Sequence, residues 1–412
     1  MKILYVADVS IHSIKGGAER FLYEQSRRLS DRGYEVHIIT RKLPEHKKKV
    51  QNINGVKEWR YEIEKTNGIK FLQRSYIGSR NLYRYLIKRG ISFDIINFHQ
   101  PFSSLGIVYP DKAKLIPKLY TCHSLSHEEF ISRNPFPSSL IRKVSYKIEA
   151  WIRKTLERKI IKRCDKIIVL SNYTKKKLES IHTIPSFKIH VIPGGVDLNK
   201  FSPSSSPENI RERLKIPKNK IVLLTIRNLV YRMGLDRLII SMKYVISKNS
   251  KVLLLIGGEG PLYDKLNKLV LNLDLSKYIR FLGYIPDDIL SDYYRASDLF
   301  ILPTKELEGF GLVTVEAMAC SLPVLGTAVG GTKEIIGGFD KSFLLFSNEP
   351  RFIAKGILEK CNIIGENREQ WNRIRKKCRE YVEKNFSWDR NLNMFESLLK
   401  EIQKRNEFKS RT

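Results

Sequence analysis

Cysteine is scarce in this chain. Five thiols (Cys122, Cys164, Cys320, Cys361 and Cys378) are spread over 412 residues, an odd number with no C-x-x-C pair. That excludes a disulfide-stapled scaffold and argues against a cysteine zinc site; buried thiols in a reducing cytoplasm are the expectation. Long apolar runs are also missing, and none approaches the roughly 18 residues of a membrane-spanning helix. The opening MKILYVADVS is interrupted by Asp8 and His12, so it reads as a first strand rather than a leader. No D-x-D triplet occurs, so the usual carboxylate pair for holding a divalent ion against phosphates is lacking. Acidic residues are outnumbered, 43 Asp and Glu against 74 Lys and Arg, for a net charge of +31.

Apolar residues, at 42%, suffice for full-sized cores and exclude wholesale disorder. Residues 1–200 carry 39 basic and 18 acidic side chains, residues 201–412 carry 35 and 25, so the excess sits mainly in the first half. Such a field favours anionic partners: phosphates, nucleic acid or an acidic membrane face. Because Lys and Ile are abundant throughout, part of the excess can equally be compositional bias.

Short Ile/Val-rich runs alternate with helical stretches. The runs are ILYVA (3–7), EVHIITR (35–41), DIINFH (94–99), KLYTCH (118–123), KIIVLS (166–171) and KIHVIP (188–193). FSPSSSPEN (201–209) reads as an interdomain linker. The alternation restarts with IVLLTI (221–226), KVLLLIGG (251–258), IRFLGY (279–284), DLFILP (298–303), PVLGT (323–327) and FLLF (343–346), with helices such as Ala18–Arg32, Leu235–Ile246 and Leu262–Leu271 between runs and a helical tail from Glu366. The pattern predicts an α/β protein with two doubly wound parallel sheets facing a cleft, ligands gathering at the carboxyl ends of the strands.

Three glycine-containing segments follow strands and open helices. Gly16-Gly17-Ala18-Glu19 and Gly257-Gly258-Glu259-Gly260-Pro261 fit phosphate approach to backbone amides, but either is equally a tight turn. The third is sharper. In Glu308-Gly309-Phe310-Gly311-Leu312-Val313-Thr314-Val315-Glu316, two carboxylates eight positions apart flank a Gly-Phe-Gly turn and a helix start near Leu312 or Val313. Both are expected to face one cleft and accept hydrogen bonds from hydroxyls, while the helix start favours negative charge.

With these residues in place the chain resembles retaining glycosyltransferases of the GT-B architecture, family 4. The resemblance runs through GGAER (16–20), VIPGGVDLNKF (191–201), GGEGP (257–261), EGFGLVTVEAMA (308–319), VGGTKEII (329–336) and FSWDR (386–390). It implies an acceptor-binding Rossmann-like domain over 1–200, a nucleotide-sugar-binding one over 201–385, and a terminal helix, 386–412, returning to the first. It implies further that Glu308 contacts donor-sugar hydroxyls and Glu316 the ribose. The backbone at Gly309, Phe310, Gly311 and Leu312 would meet sugar and phosphate, with Gly258 on the donor side. Gly16 and Gly17 would lie near the donor phosphates from the other domain, and His123 beside the reacting sugar. The family's G-R-x-x-x-x-K-G pattern is altered: register on Gly234 puts Asn228 and Met233 where Arg and Lys are usual, and the cations are displaced by one, to Arg227 and Arg232. Arg232 is the favoured diphosphate partner, with Arg227 beside it.

The resemblance therefore implies a retaining, metal-independent hexosyl transfer from a nucleotide-diphosphate sugar, with catalytic residues His123, Glu308 and Arg232 and no cofactor. His99, His123 and His127 are acceptor candidates, although His99 reads equally as a packed histidine. His123, His127 and Glu128 lack a third histidine or an H-E-x-x-H pattern, so no metal site is assigned. The run 139–163 is a basic amphipathic helix with Leu140, Val144, Ile148, Trp151, Ile152 and Leu156 at helical spacing and nine Lys/Arg against two Glu. It fits an anionic bilayer, or equally a domain helix with a solvated basic face. A glycan or lipid-linked acceptor at the cytoplasmic membrane face follows as an expectation. A sugar-nucleotide epimerase or phosphorylase on the same fold is the alternative. A nucleic-acid binder is the least favoured, since no nucleic-acid motif accompanies the charge.

Overall fold

The computed structural model describes all residues except 13, 15, 64–68, 110–115, 135, 138 and 412, and except the side chains of 69 and 405–411. The chain divides into two compact units, Met1–Pro193 with Asn391–Thr412, and Gly194–Arg390. The change of unit precedes the Ser/Pro run at 201–209. That run lies inside the second unit and leads into helix Pro207–Arg213, whose first turn proline suits.

The first unit is built on β1 (Lys2–Val6), β2 (Glu35–Arg41), β3 (Val50–Ile53), β4 (Val56–Tyr61), β5 (Ile95–Phe98), β6 (Lys118–Cys122), β7 (Lys166–Val169) and β8 (Ile189–Val191). Their order is β3-β4-β2-β1-β5-β6-β7-β8. All pairs are parallel except the hairpin β3–β4. Successive side chains alternate between two cores. Leu4, Val6, Ile96 and Phe98 pack with Tyr83, Leu86, Ile107, Ile160 and Ile161 on one face. On the other, Ile3, Tyr5, Ile38 and Ile95 pack with Leu22 and Leu29 and with Leu392, Phe395, Leu398, Leu399 and Ile402 of the helix Trp388–Arg411. The expected return of the terminal helix is thus visible as a core layer, beginning at Asn391.

The second unit carries β9 (Ile221–Ile226), β10 (Val252–Gly257), β11 (Ile279–Gly283), β12 (Leu299–Leu302), β13 (Val324–Thr327) and β14 (Leu344–Leu345). Their order is β11-β10-β9-β12-β13-β14, all parallel. This is the doubly wound dinucleotide-fold order. Asp298 anchors the amino end of the sheet: its Oδ2 accepts the Val222 amide at 2.9 Å and the Arg211 guanidinium at 2.7 Å.

Two differences from the sequence reading have physical causes. The β3–β4 hairpin is absent from the sequence reading because its strands, VQNI and VKEWRY, carry adjacent polar residues that break any apolar run. Its turn signal was present: Asn54 and Gly55 both adopt positive φ, 49° and 85°, as a type I′ turn demands. The run at 343–346 shortens to Leu344–Leu345, because Asp340 accepts the Ser342 amide and draws Lys341–Phe343 into a 3₁₀ turn.

Phe395 is fully buried in the first unit's second core. Phe395→Ala is expected to cost about 3–5 kcal/mol. Denaturant unfolding checks this, and an unchanged midpoint would refute the packing described.

Candidate active site

In the second unit β9 lies between β10 and β12, so the winding reverses beside it, and ligands of open parallel sheets gather beyond the carboxyl ends of such strands. Arg227 directly follows β9 and the segment 303–311 follows β12, which places the Gly-Phe-Gly turn at that edge.

The Arg227 side chain is 4% exposed, and its Nη2 pairs with Oε2 of Glu308, itself 13% exposed. The same guanidinium reaches the Met233 thioether at 2.7 Å and the Thr304 hydroxyl at 3.4 Å. The two departures in the altered family motif are therefore linked: Met233 replaces a usual lysine, and Arg227 lies against its sulfur. Arg232 acts on the loop. Its carbonyl accepts the Lys305 amide at 2.8 Å and its Nη1 donates to the Leu307 carbonyl at 2.6 Å. Leu307 holds a left-handed φ of 51°, a strained conformation that its surroundings must enforce. Lys305 Nζ donates to Asp236 at 2.7 Å and lies 4.0 Å from the Tyr231 ring centroid. The Glu308 carbonyl accepts the Gly331 amide at 2.8 Å.

Helix Leu312–Ala319 begins where expected, capped by Gly311 at φ 88°. A Cβ there would stand 2.8 Å from Thr332 Oγ1 and 3.1 Å from Thr314 Oγ1. Both hydroxyls are buried without a hydrogen-bond partner among the described residues. Sequence reasoning missed this pair, although both residues lie in segments it quoted. Gly258, at φ 114°, passes so close to β9 that a Cβ would meet the Arg227 carbonyl. Glu316 is buried and accepts the Tyr294 hydroxyl at 3.1 Å. Phe310 is buried too, with its ring 5.8 Å from that of Phe386.

In the first unit the winding reverses between β1 and β5. Asp8, after β1, accepts the amides of Phe102 at 3.2 Å and Ser103 at 2.8 Å, and so caps helix Pro101–Val108 from a distance. Burial raises its carboxyl above the ordinary range. His99 ends β5 and His123 ends β6, and the structure brings them together, Nδ1 to Nε2 at 3.0 Å. Phe21 packs edge-on to His123 with centroids 5.0 Å apart. Burial holds both rings neutral, pushing His123 down to about 4 and His99 well below its ordinary value. The His99 Nε2 is buried without a partner among the described residues. His127 does not join this pair; it lies against His182, centroids 6.1 Å apart. Gly16 caps helix Gly17–Asp31 in an extended conformation, and both glycines lie at that helix start.

Helix Leu140–Lys162 turns the amino-terminal half of its apolar stripe outward. Leu140, Ile141 and Trp151 are 78%, 83% and 65% exposed, and Phe136 adds a fourth large apolar side chain. Among the described residues no helix is long and apolar enough to cross a membrane.

A basic, carboxylate-containing ligand edge on a doubly wound sheet, preceded in the chain by a second largely parallel sheet, defines a protein of two Rossmann-like units. Residues 206–381 match the family model of glycosyl transferases group 1, and residues 15–200 match that of glycosyltransferase family 4. The chain is 26% identical over 333 residues to mannosylfructose-phosphate synthase of Agrobacterium fabrum, covering 77% of this chain and 72% of that protein. It is 25% identical over 351 residues to a D-inositol 3-phosphate glycosyltransferase of Corynebacterium jeikeium, covering 81% of each. In fold it matches the sucrose-phosphate synthase of Thermosynechococcus elongatus with a TM-score of 0.81 at 21% identity, covering 98% of this chain and 99% of that one. The chain belongs to the group 1 glycosyltransferases of GT-B fold, and its activity is glycosyl transfer.

Gly311→Ala forces a side chain into a left-handed position against Thr332. It is expected to cost about 1–3 kcal/mol in urea unfolding, and wild-type stability would contradict the geometry. A second expectation concerns acid. Below about pH 6.5 an unfolded chain binds protons that the folded His99 and His123 refuse, so stability falls with pH by about 1.4 kcal/mol per unit for each ring. For His123 the fall continues to about pH 4, and His37 and His46, also lowered by burial, steepen it. Melting temperatures between pH 7 and 4.5 check this, with a shallower slope expected for His123→Phe.

Proposed function

We propose that the chain moves a hexosyl group from a nucleotide-diphosphate sugar to a phosphorylated or lipid-linked glycan acceptor. The transfer retains the anomeric configuration and uses no divalent ion at the reacting bond. The observation that carries this reading is the pairing of Glu308 with Arg227 at the ligand edge of β9 and β12. A carboxylate neutralised by a buried guanidinium is a poor covalent nucleophile. Its remaining lone pairs suit hydrogen bonds from sugar hydroxyls.

The group that leaves is a nucleoside diphosphate. Its developing charge needs fixed positive partners that cost no reorganisation at the moment of reaction. Arg227, Arg232 and the amides opening helix Leu312–Ala319 are those partners in the second unit. The departing phosphate oxygen takes the acceptor proton, so no side-chain base is required. His123 and His99, held neutral, serve in the first unit as hydrogen-bonding groups for the acceptor or the reacting sugar. Glu316, within the same helix, holds the ribose. The absence of any D-x-D triplet supports charge neutralisation by arginine.

For the acceptor, the two named relatives both carry a phosphate ester in their names. The outward apolar stripe of helix Leu140–Lys162, with Arg142, Lys143 and Lys147 among its residues, supports work at an anionic membrane surface on the cytoplasmic side.

Four experiments test the reading. Nucleotide sugars screened by thermal shift should identify one donor that raises the melting temperature. Turnover of that donor should survive EDTA and give a product whose anomeric configuration matches the donor's. Glu308→Gln and Arg227→Ala should each lower turnover at least 100-fold (about 2.7 kcal/mol in transition-state stabilisation), and near wild-type turnover in both would remove the site assignment. For the membrane, flotation with vesicles containing anionic lipid should fail for Ile141→Glu/Trp151→Glu; equal flotation of variant and wild type would refute it.

A further inference from the structure

A second cluster of chemistry lies in the first unit, away from the His99–His123 pair, and it concerns its residues alone. His127, Glu157 and His182 come from three helices, Ser126–Arg133, Leu140–Lys162 and Asn172–His182. Each offers one ligand atom, and these atoms all lie within 4.8 Å of one another. Glu157 and His182 are fully buried, and His127 is half-buried.

The Glu157 carboxylate is held from behind by neutral donors. Its Oε1 accepts the Tyr120 hydroxyl at 2.9 Å, and both oxygens are within 3.3 Å of the Ser126 amide. No Lys or Arg pairs with it among the described ion pairs; its one ionisable partner there is His182, Nε2 to Oε2 at 3.3 Å. A fully buried carboxylate demands positive charge. The Nδ1 atoms of His127 and His182 are buried without hydrogen-bond partners among the described residues.

One of the three separations already suits a shared charge carrier. Two ligands bonded to zinc at about 2.0–2.1 Å and a tetrahedral angle stand about 3.3–3.4 Å apart, which is the Glu157–His182 separation. The Tyr120 hydroxyl and Ser126 amide are the outer contacts that orient a ligating carboxylate. We propose that His127, Glu157 and His182 bind a divalent transition metal of the zinc class, with a solvent molecule as fourth ligand on the half-buried His127 side. The metal ties the three helices together. It takes no part in the transfer step.

The full chain, equilibrated with zinc and desalted, should retain one equivalent by elemental analysis. His127→Ala, at the half-buried position, should lose it. A chelator should lower the wild-type melting temperature and leave that of His127→Ala unchanged. Cobalt(II) should give a tetrahedral visible spectrum without thiolate charge transfer, absent in Glu157→Gln. No retained zinc, or equal retention by wild type and His127→Ala, overturns the proposal and leaves a buried His182–Glu157 contact. Either result is separable from the transfer reading, because donor-induced thermal shift on the second unit does not involve these residues.

Discussion

The ligand edge of the second unit depends on one buried guanidinium. Arg227 leaves β9 with almost no contact with solvent, and Glu308 is the charge that balances it. A buried ion is tolerable only with such a partner, so the loop carrying Glu308 cannot drift. The remaining contacts read as consequences of that requirement. Arg232 grips the loop by its carbonyl and its guanidinium, Lys305 is anchored to Asp236, and the Glu308 carbonyl is tied to Gly331. Leu307 is held in a strained conformation between them. The loop is therefore shaped before any ligand arrives, which is the condition for electrostatic stabilisation of a leaving group.

The first unit handles polarity differently. At the ends of β5 and β6 it keeps two imidazoles neutral by burying them against aromatic rings. At the end of β1 burial raises the Asp8 carboxyl above its ordinary range, while amide and hydroxyl donors of Ser103 favour its ionised form. On its outside, helix Leu140–Lys162 mixes exposed apolar and basic side chains. At the strand ends that carry the candidate site, the second unit presents a buried ion pair and the first a pair of imidazoles.

Much of this was legible in the chain itself. Buried parallel strands are short apolar runs, so β1, β2, β5–β7 and most of the second sheet announced themselves, and the start of helix Leu312–Ala319 followed from Gly311. The hairpin β3–β4 did not, because its half-exposed strands lack such runs. Site chemistry was readable where neighbours in sequence are neighbours in space, as at 308–316. It failed where pairing is long-range. Nothing in the local text joins Arg227 to Glu308, His99 to His123, or His127 to Glu157 and His182. Of the displaced arginines of the altered motif the sequence favours Arg232 as diphosphate partner, yet it is Arg227 that pairs with a carboxylate, while Arg232 fastens a backbone carbonyl.

The chain enters the second unit after Pro193 and re-enters the first at Asn391, whose side-chain amide donates to the Pro193 carbonyl at 2.6 Å. The second unit is thus an insertion within the first. Leu392, Phe395, Leu399 and Ile402, which cover Ile3, Tyr5 and Ile38, leave the ribosome only after the whole insert. During synthesis the earlier-made sheet must wait with part of one greasy side, beyond what Leu22 and Leu29 cover, still open, while the later-made insert can already close upon itself. Order of translation and order of completion are reversed, and the nascent first half is the species that a chaperone would have to shield.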